Sequence, residues 1–246
     1  MVKRGNTQRG AGGVVFAPVR WVFKLLFWAF CAVVLLQLWY LAQITYWARF
    51  NPSSTSFMNI RLEEMRKTDR SAQLKHEWVP YDQISMNLKR AVVAAEDSGF
   101  MNHYGVEPEA IEVAIQKNQR RGKVTHGGST ITQQLAKNLF LTSKRSYIRK
   151  GQELVIAFML EAIWGKRRIL EVYLNVVEWG NGVYGAQAAS RYYYGVNASQ
   201  LNAAQASRLA SMLPAPRYFD KRRGSPFLAR KTATVQARLY QVAVPK

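Results

Sequence analysis

Cysteine is nearly absent from this chain of 246 residues: Cys31 stands alone, inside an apolar run. A single cysteine excludes an intrachain disulfide and any metal site built on cysteine. The histidines are few as well. His76, His103 and His126 lie far apart in sequence, which disfavours a zinc site. Negative charge is scarce: 15 Asp and Glu stand against 35 Lys and Arg, for a formal charge of +20, and no acidic residue precedes Glu63. A field of that size favours phosphates, nucleic acid or an anionic membrane surface and carries no information about fold. Internal repeats and convincing runs of alternating strand pattern are also lacking.

What the N-terminal quarter has instead is an almost unbroken apolar run from Val19 to about Ile44. That is long enough to cross a bilayer as a helix. Trp21, Trp28, Trp39, Tyr40, Tyr46 and Trp47 lie mostly toward its ends, and Lys3, Arg4, Arg9, Arg20 and Lys24 flank its start. The positive-inside rule puts the N-terminus in the cytoplasm and everything after about Trp47 outside. A cleaved signal peptide would have a shorter apolar region ending in small residues, whereas this run continues through Trp39, Tyr40 and Tyr46. The expected organisation is a basic tail (1–18), an uncleaved anchor (19–46), a polar juxtamembrane linker (47–56) and a domain (57–246).

That domain reads as mainly helical. Leu88–Ala95 is rich in alanine and valine and leads into Glu96-Asp97. Leu154–Trp164 is apolar nearly all round, which predicts a central buried helix. Arg167–Val177 and Ala203–Leu213 follow, the second ended by Pro214 and Pro216. Lys221–Lys246 carries seven Lys and Arg and no acid, which suggests a solvated or membrane-facing edge.

Three stretches can carry chemistry. Gly127–Asn138 is a glycine turn feeding a helix, with Thr130 and Gln133 at capping-box spacing. Lys137 then falls four residues after Gln133 and three after Gln134, so the helix start with its lysine is a candidate holder for a phosphate or diphosphate. Glu96 and Asp97 end an apolar helix, against the dipole, and a carboxylate beside apolar surface can act as a general base or acid. Around Glu153, Arg149 and Lys150 supply cations at helical spacing; Arg149 and Glu153 either pair on the surface or are carried inward. Glu171 and Asn175, at i and i+4, look structural.

In order and wording these segments resemble peptidoglycan glycosyltransferase family 51, which includes stand-alone monofunctional transglycosylases. Glu96, Asp97, Phe100, His103 and Gly105 match its first motif, and Gly127 through Asn138 match the second without a gap. Arg149, Lys150 and Glu153 match the third, the stretch Ile169 to Gly185 the fourth, and Leu209 through Pro216 the fifth. Gly99 departs from the basic residue that members often carry there, and Gln152 stands where some have a cation. The resemblance implies a lysozyme-like helical fold with two lobes and a cleft. It implies polymerisation of lipid II into β-1,4-linked glycan, inverting at the donor MurNAc C1 and releasing polyprenyl diphosphate.

On the same resemblance Glu96 is the general base. Lys137 and Arg145, assisted by Arg149 or Lys150, hold the donor diphosphate. Ser129, Thr130, Gln133, Gln134 and Asn138 belong to the substrate site, and Glu153 orients or supports the reacting groups. No cofactor is required by anything in the sequence, and a divalent cation (Mg2+ or Mn2+) at the diphosphate is compatible with it. The implied partners are lipid II, the growing glycan, membrane lipid, and transpeptidases or proteins of the division or elongation machinery, with no nucleic acid. The implied location is the bacterial inner membrane, single-pass, with the catalytic domain on the periplasmic or extracellular side. No transpeptidase activity is expected, since the chain contains no Ser-x-x-Lys. Three rivals are a lytic transglycosylase, which needs no diphosphate site, a membrane-anchored binder of nucleic acid or anionic lipid, and a catalytically dead scaffold.

Overall fold

The computed structural model describes residues 16–108, 112, 116, 128–144 and 146–246. It divides into two units, Met1–Gln43 and Ile44–Lys246. In the first, a helix of 32 residues, α1 (Phe16–Trp47), begins and continues into the second. Helical rise makes it about 48 Å long. Its stretch Arg20–Trp47 is long and apolar enough to span a membrane. Trp21, Phe23, Leu25, Phe27, Trp28, Phe30 and Leu35 are all exposed, as a lipid-facing helix requires.

The second unit is mainly helical, as expected. After α2 (Ser56–Arg66) come α3 (Met86–Glu96), α4 (Ile131–Phe140), α5 (Tyr147–Ile163) and α6 (Lys166–Val176). Then follow α7 (Ala186–Tyr194), α8 (Ala203–Met212), the short α9 (Pro216–Asp220) and α10 (Pro226–Arg238). Helix α8 packs against α3 and α10, while α4 packs against α5, α6 and α2. Three short strands, β1 (Lys75–His76), β2 (Glu178–Gly180) and β3 (Val183–Tyr184), form a sheet in the order β1-β3-β2. β1 and β3 are parallel with Lys75 opposite Val183, and β2 and β3 form an antiparallel hairpin. Strands of two or three residues are too short to leave an alternating pattern, so the sequence did not announce them.

Residues 47–56 are held rather than loose. The Arg168 guanidinium donates to the carbonyls of Trp47 (2.8 Å) and Phe50 (2.7 Å) and to Asn51 Oδ1 (3.0 Å). The Trp164 indole donates to the Ile44 carbonyl at 2.8 Å. Carbonyls at a helix C-terminus lack intrahelical partners and carry partial negative charge, so a guanidinium there meets both needs. Thr55 then caps α2, accepting from Met58 N.

Two expectations change. Helix α5 is buried along one face only, through Glu153, Ile156, Ala157, Leu160 and Glu161. Its other face exposes Ile148, Val155 and Phe158. An all-round apolar pattern can arise because the outer face meets lipid as well as because it meets core. Lys221–Lys246 is not merely an edge. Leu228, Val235 and Leu239 are buried, and the Tyr81 hydroxyl donates to the Pro245 carbonyl at 2.7 Å, fixing the tail.

The structural reading of Glu171 and Asn175 holds. Asn175 is fully buried; its Nδ2 donates to the carbonyls of Val79 (3.0 Å) and Glu171 (2.9 Å), and its Oδ1 accepts from Val79 N (3.0 Å). Glu171 accepts from Tyr81 N and pairs with Arg168. Gly185 sits against this residue with φ of 82°; a Cβ there would lie 2.7 Å from the Asn175 carbonyl oxygen. Asn175→Ala strands the buried Val79 amide and is expected to lower stability by about 2–4 kcal/mol, read as a lower unfolding midpoint of the full chain. An unchanged midpoint would contradict this role.

Candidate active site

The site is assembled by Asp97. One carboxylate oxygen accepts the Ile131 amide at 2.9 Å, at the first turn of α4, and the other accepts His103 Nε2–H at 2.8 Å. Asp97 is buried, so both bonds act in a low-dielectric setting. The expected capping box is present: Thr130 Oγ1 accepts from Gln133 N, and Gln133 Oε1 accepts from Thr130 N. The Thr130 hydroxyl also donates to the Gly105 carbonyl at 2.6 Å. Gly105 has φ of 79°, a conformation that favours glycine.

Asp97 takes one backbone donor at the N-terminus of α4, a natural anion site. Thr130 and Gln133 are buried, and their side-chain oxygens serve the cap. The cleft face of α4 belongs to Gln134, Lys137 and Asn138.

A buried ion pair backs the loop. Glu161 Oε1 accepts from Lys166 Nζ (2.7 Å) and from Thr132 Oγ1 (2.6 Å), while Lys166 Nζ also donates to the His103 carbonyl at 2.7 Å and lies over the Phe100 ring. The pair joins α5, α6 and α4 to the segment carrying His103. Across the break between α5 and α6, a spacing of five residues gives no pairing signal, so sequence reading missed it.

Glu96, at the end of α3, faces α4. Gln134 Nε2 donates to Glu96 Oε2 at 2.9 Å, and the Tyr173 hydroxyl donates to Gln134 Oε1 at 2.9 Å. Tyr173 is fully buried, which raises its pKa far above the ordinary tyrosine value and keeps it a neutral donor. It thereby fixes which end of the Gln134 amide meets the carboxylate. Burial raises the Glu96 pKa; the Gln134 hydrogen bond and the charges of Lys231 and Lys137 oppose this, and Asp97 adds to it.

Lys137 is half-buried on the same face of α4, one turn beyond Gln134. Burial lowers its pKa, opposed by Glu153 and Glu96 and reinforced by Arg149 and Lys150. Glu153 has been carried inward: it is buried and bound by Arg149 Nη1 (2.9 Å) and Lys150 Nζ (2.6 Å). Lys150 also reaches Ser129 Oγ at 2.9 Å, joining the second and third stretches. Glu153 therefore acts through two cations that it holds. Arg145 and Gly127 lie outside the described residues.

Beside these groups is a cavity of about 380 Å3, with Gln134, Lys137 and Asn138 on one wall and Phe57, Glu178 and Arg217 among the others. Glu178 pairs with Arg61 (3.8 Å) and Arg217 (3.6 Å). The cavity is lined by apolar and aromatic side chains together with the ammonium of Lys137 and the guanidinium of Arg217. Among the described residues, Asp97, His103 and Glu107 also cluster, with ligand atoms within 4.8 Å of one another. Asp97 is already committed to Ile131 and His103, so the trio reads as the loop clamp. At the cationic side, Glu153 is already bound by Arg149 and Lys150. The other groups beside Lys137 there, Arg149 and Lys150, are cations.

A family profile described as Transglycosylase matches residues 62–240. The chain is 54% identical over 226 residues to a protein named biosynthetic peptidoglycan transglycosylase from Janthinobacterium sp. (strain Marseille), covering 90% of this chain and 98% of that one. Relatives of the same name from Herminiimonas arsenicoxydans (55% identity; 90% and 98% covered) and Chromobacterium violaceum (52% identity; 92% and 99% covered) match similarly.

Because burial raises the Glu96 pKa, the folded state holds that proton more tightly than the unfolded chain does. The resulting stabilisation is complete while the group is protonated and is lost as pH rises from the unfolded carboxylate value through the raised folded one. Above that window the ionised carboxylate lowers stability. Glu96→Gln, which keeps an acceptor for Gln134, should melt at the same or a higher temperature than wild type at about pH 8. A clearly lower melting temperature there would contradict the assignment.

Proposed function

The chain belongs to the transglycosylase family and is a glycosyltransferase of peptidoglycan synthesis, and on that premise we propose that Glu96 is the base of lipid II polymerisation and Lys137 the centre of its diphosphate site. The placement of Lys137 carries this reading. It stands on the cleft face of α4, within electrostatic reach of both Glu96 and the Glu153–Arg149–Lys150 group.

The step balances as follows. Glu96 takes the proton from the 4-hydroxyl of the acceptor GlcNAc as that oxygen attacks C1 of the donor MurNAc. The new bond joins the acceptor oxygen to C1, and the bond from C1 to the phosphate oxygen breaks. The electron pair leaves with the polyprenyl diphosphate, and attack from the opposite face turns an α linkage into a β-1,4 bond. A hydroxyl at neutral pH needs a base within hydrogen-bond reach. The departing diphosphate is already an anion and needs cations rather than a strong acid, in contrast to inverting glycosidases, which must protonate a poor leaving group. Lys137, with Arg149 and Lys150, supplies those cations. Glu153 sets the position of the latter two, and Gln134 aims Glu96. Arg145 belongs to the same group by its motif position.

The candidate span Arg20–Trp47 anchors the enzyme where its lipid substrates reside, with the basic N-terminus on the cytoplasmic side by the positive-inside rule. The exposed Ile148, Val155 and Phe158 on α5 suit contact with that membrane.

Given lipid II and no preformed glycan, the solubilised full chain is expected to make elongated strands; no turnover would overturn the reading. Lys137→Ala should reduce donor use by about 10²-fold and acceptor use much less. An equal effect on both would remove Lys137 from the donor diphosphate.

A further inference from the structure

Lys231 occupies a core-facing position that suits an apolar residue. The buried side chains of α10 are Leu228 and Val235. Lys231 falls three residues after the first and four before the second, on the same face. Helix α10 packs against α8 and against α3, the helix that ends in Glu96. Lys231 is half-buried there, and the charged group within its electrostatic reach is Glu96. Basic groups on the helices packed against α10 are directed elsewhere. Lys89 lies over the Tyr81 ring, Arg90 over the Tyr240 ring, and Arg208 donates to the Arg223 carbonyl.

We propose that Lys231 is a positioning residue for the reaction: presented from α10, its ammonium is the standing counter-charge that keeps the half-buried Glu96 carboxylate ionised and ready to accept a proton. The inference rests on Glu96 being the base. Among the described residues, Asp97 beside it, Gln134 and Lys137 from α4, the neutral Tyr173 from α6, and Lys231 from α10 bear on that carboxylate. Asp97 works against ionisation, and Gln134 donates a hydrogen bond without carrying charge. Lys137 is shared with Glu153, and in the proposed reaction its charge is taken up by the donor diphosphate. Among the described residues, Lys231 is the cation left to Glu96 when donor is bound. Burial lowers the Lys231 pKa and Glu96 opposes that, so each group supports the charge of the other.

The test is the pH dependence of the initial rate of lipid II polymerisation by the full chain. Glu96 acts when deprotonated, so removing a nearby positive charge raises its proton affinity and moves the acid limb to higher pH. Lys231→Met and Lys231→Gln are both expected to displace that limb upward by about 0.5–1 pH unit, with the alkaline plateau near that of wild type. Lys231→Arg should keep the limb where it is. A limb that stays in place, with the rate unchanged or lowered equally at every pH, overturns the proposal and leaves Lys231 a packing or substrate-contact residue. Glu96→Gln is run alongside. Its full activity would remove the base and this inference with it, whereas an inactive Glu96→Gln with an unmoved limb overturns the Lys231 role alone.

Discussion

The two hydrogen bonds accepted by the Asp97 carboxylate hold the site together. One fixes the start of α4 through the Ile131 amide, the other fixes the following loop through His103. Glu96 precedes this anchor by one residue, and Gln134 follows Ile131 by three. The anchor therefore sets how the end of α3 meets the first turn of α4, and with it the Glu96–Gln134 contact at 2.9 Å. A carboxylate at a helix N-terminus is also where the macrodipole favours one. The same bond takes the Ile131 amide, one of the free backbone donors at the start of α4.

Charge in this site is arranged in pairs of opposite sign around carboxylates whose burial would be costly alone. Glu153 gathers Arg149 and Lys150; Glu161 gathers Lys166 and a threonine hydroxyl. Glu96 has only an amide hydrogen bond and cations at longer range, and its pKa rises accordingly. That difference separates the roles of two carboxylates standing near one lysine. Glu153 is neutralised by contact and organises cations, whereas Glu96 is left with a raised proton affinity suited to taking a proton.

Much of this was legible in the chain. The apolar run, the capping box and the mainly helical domain follow from spacing and composition, while for Glu153 spacing left a surface pair and an inward position equally open. The destination of Asp97 was not, because its partners lie 6 and 34 residues away and on different elements. Nor was the role of Gln133: helical periodicity put it on the face of Gln134 and Lys137, but the capping box turns its side chain back onto the backbone. The outer face of α5 misled for another reason, since its exposed Val155 and Phe158 are as apolar as the residues of its buried face. For Lys231 a signal did exist, as a lysine spaced three and four residues from Leu228 and Val235 breaks an apolar stripe. Its partner could be found only once α10 was placed beside α3.

The central claim is that Asp97 builds the site without taking part in the chemistry, and Asp97→Asn tests it most directly. The variant keeps size and shape but cannot accept both hydrogen bonds as a carboxylate does. Lipid II binding and the single-turnover polymerisation rate would be measured together on the folded full chain. Binding within a few-fold of wild type with a rate lower by about 10²-fold is predicted, since a displacement near 1 Å is enough for such a loss. A rate close to wild type would contradict the account.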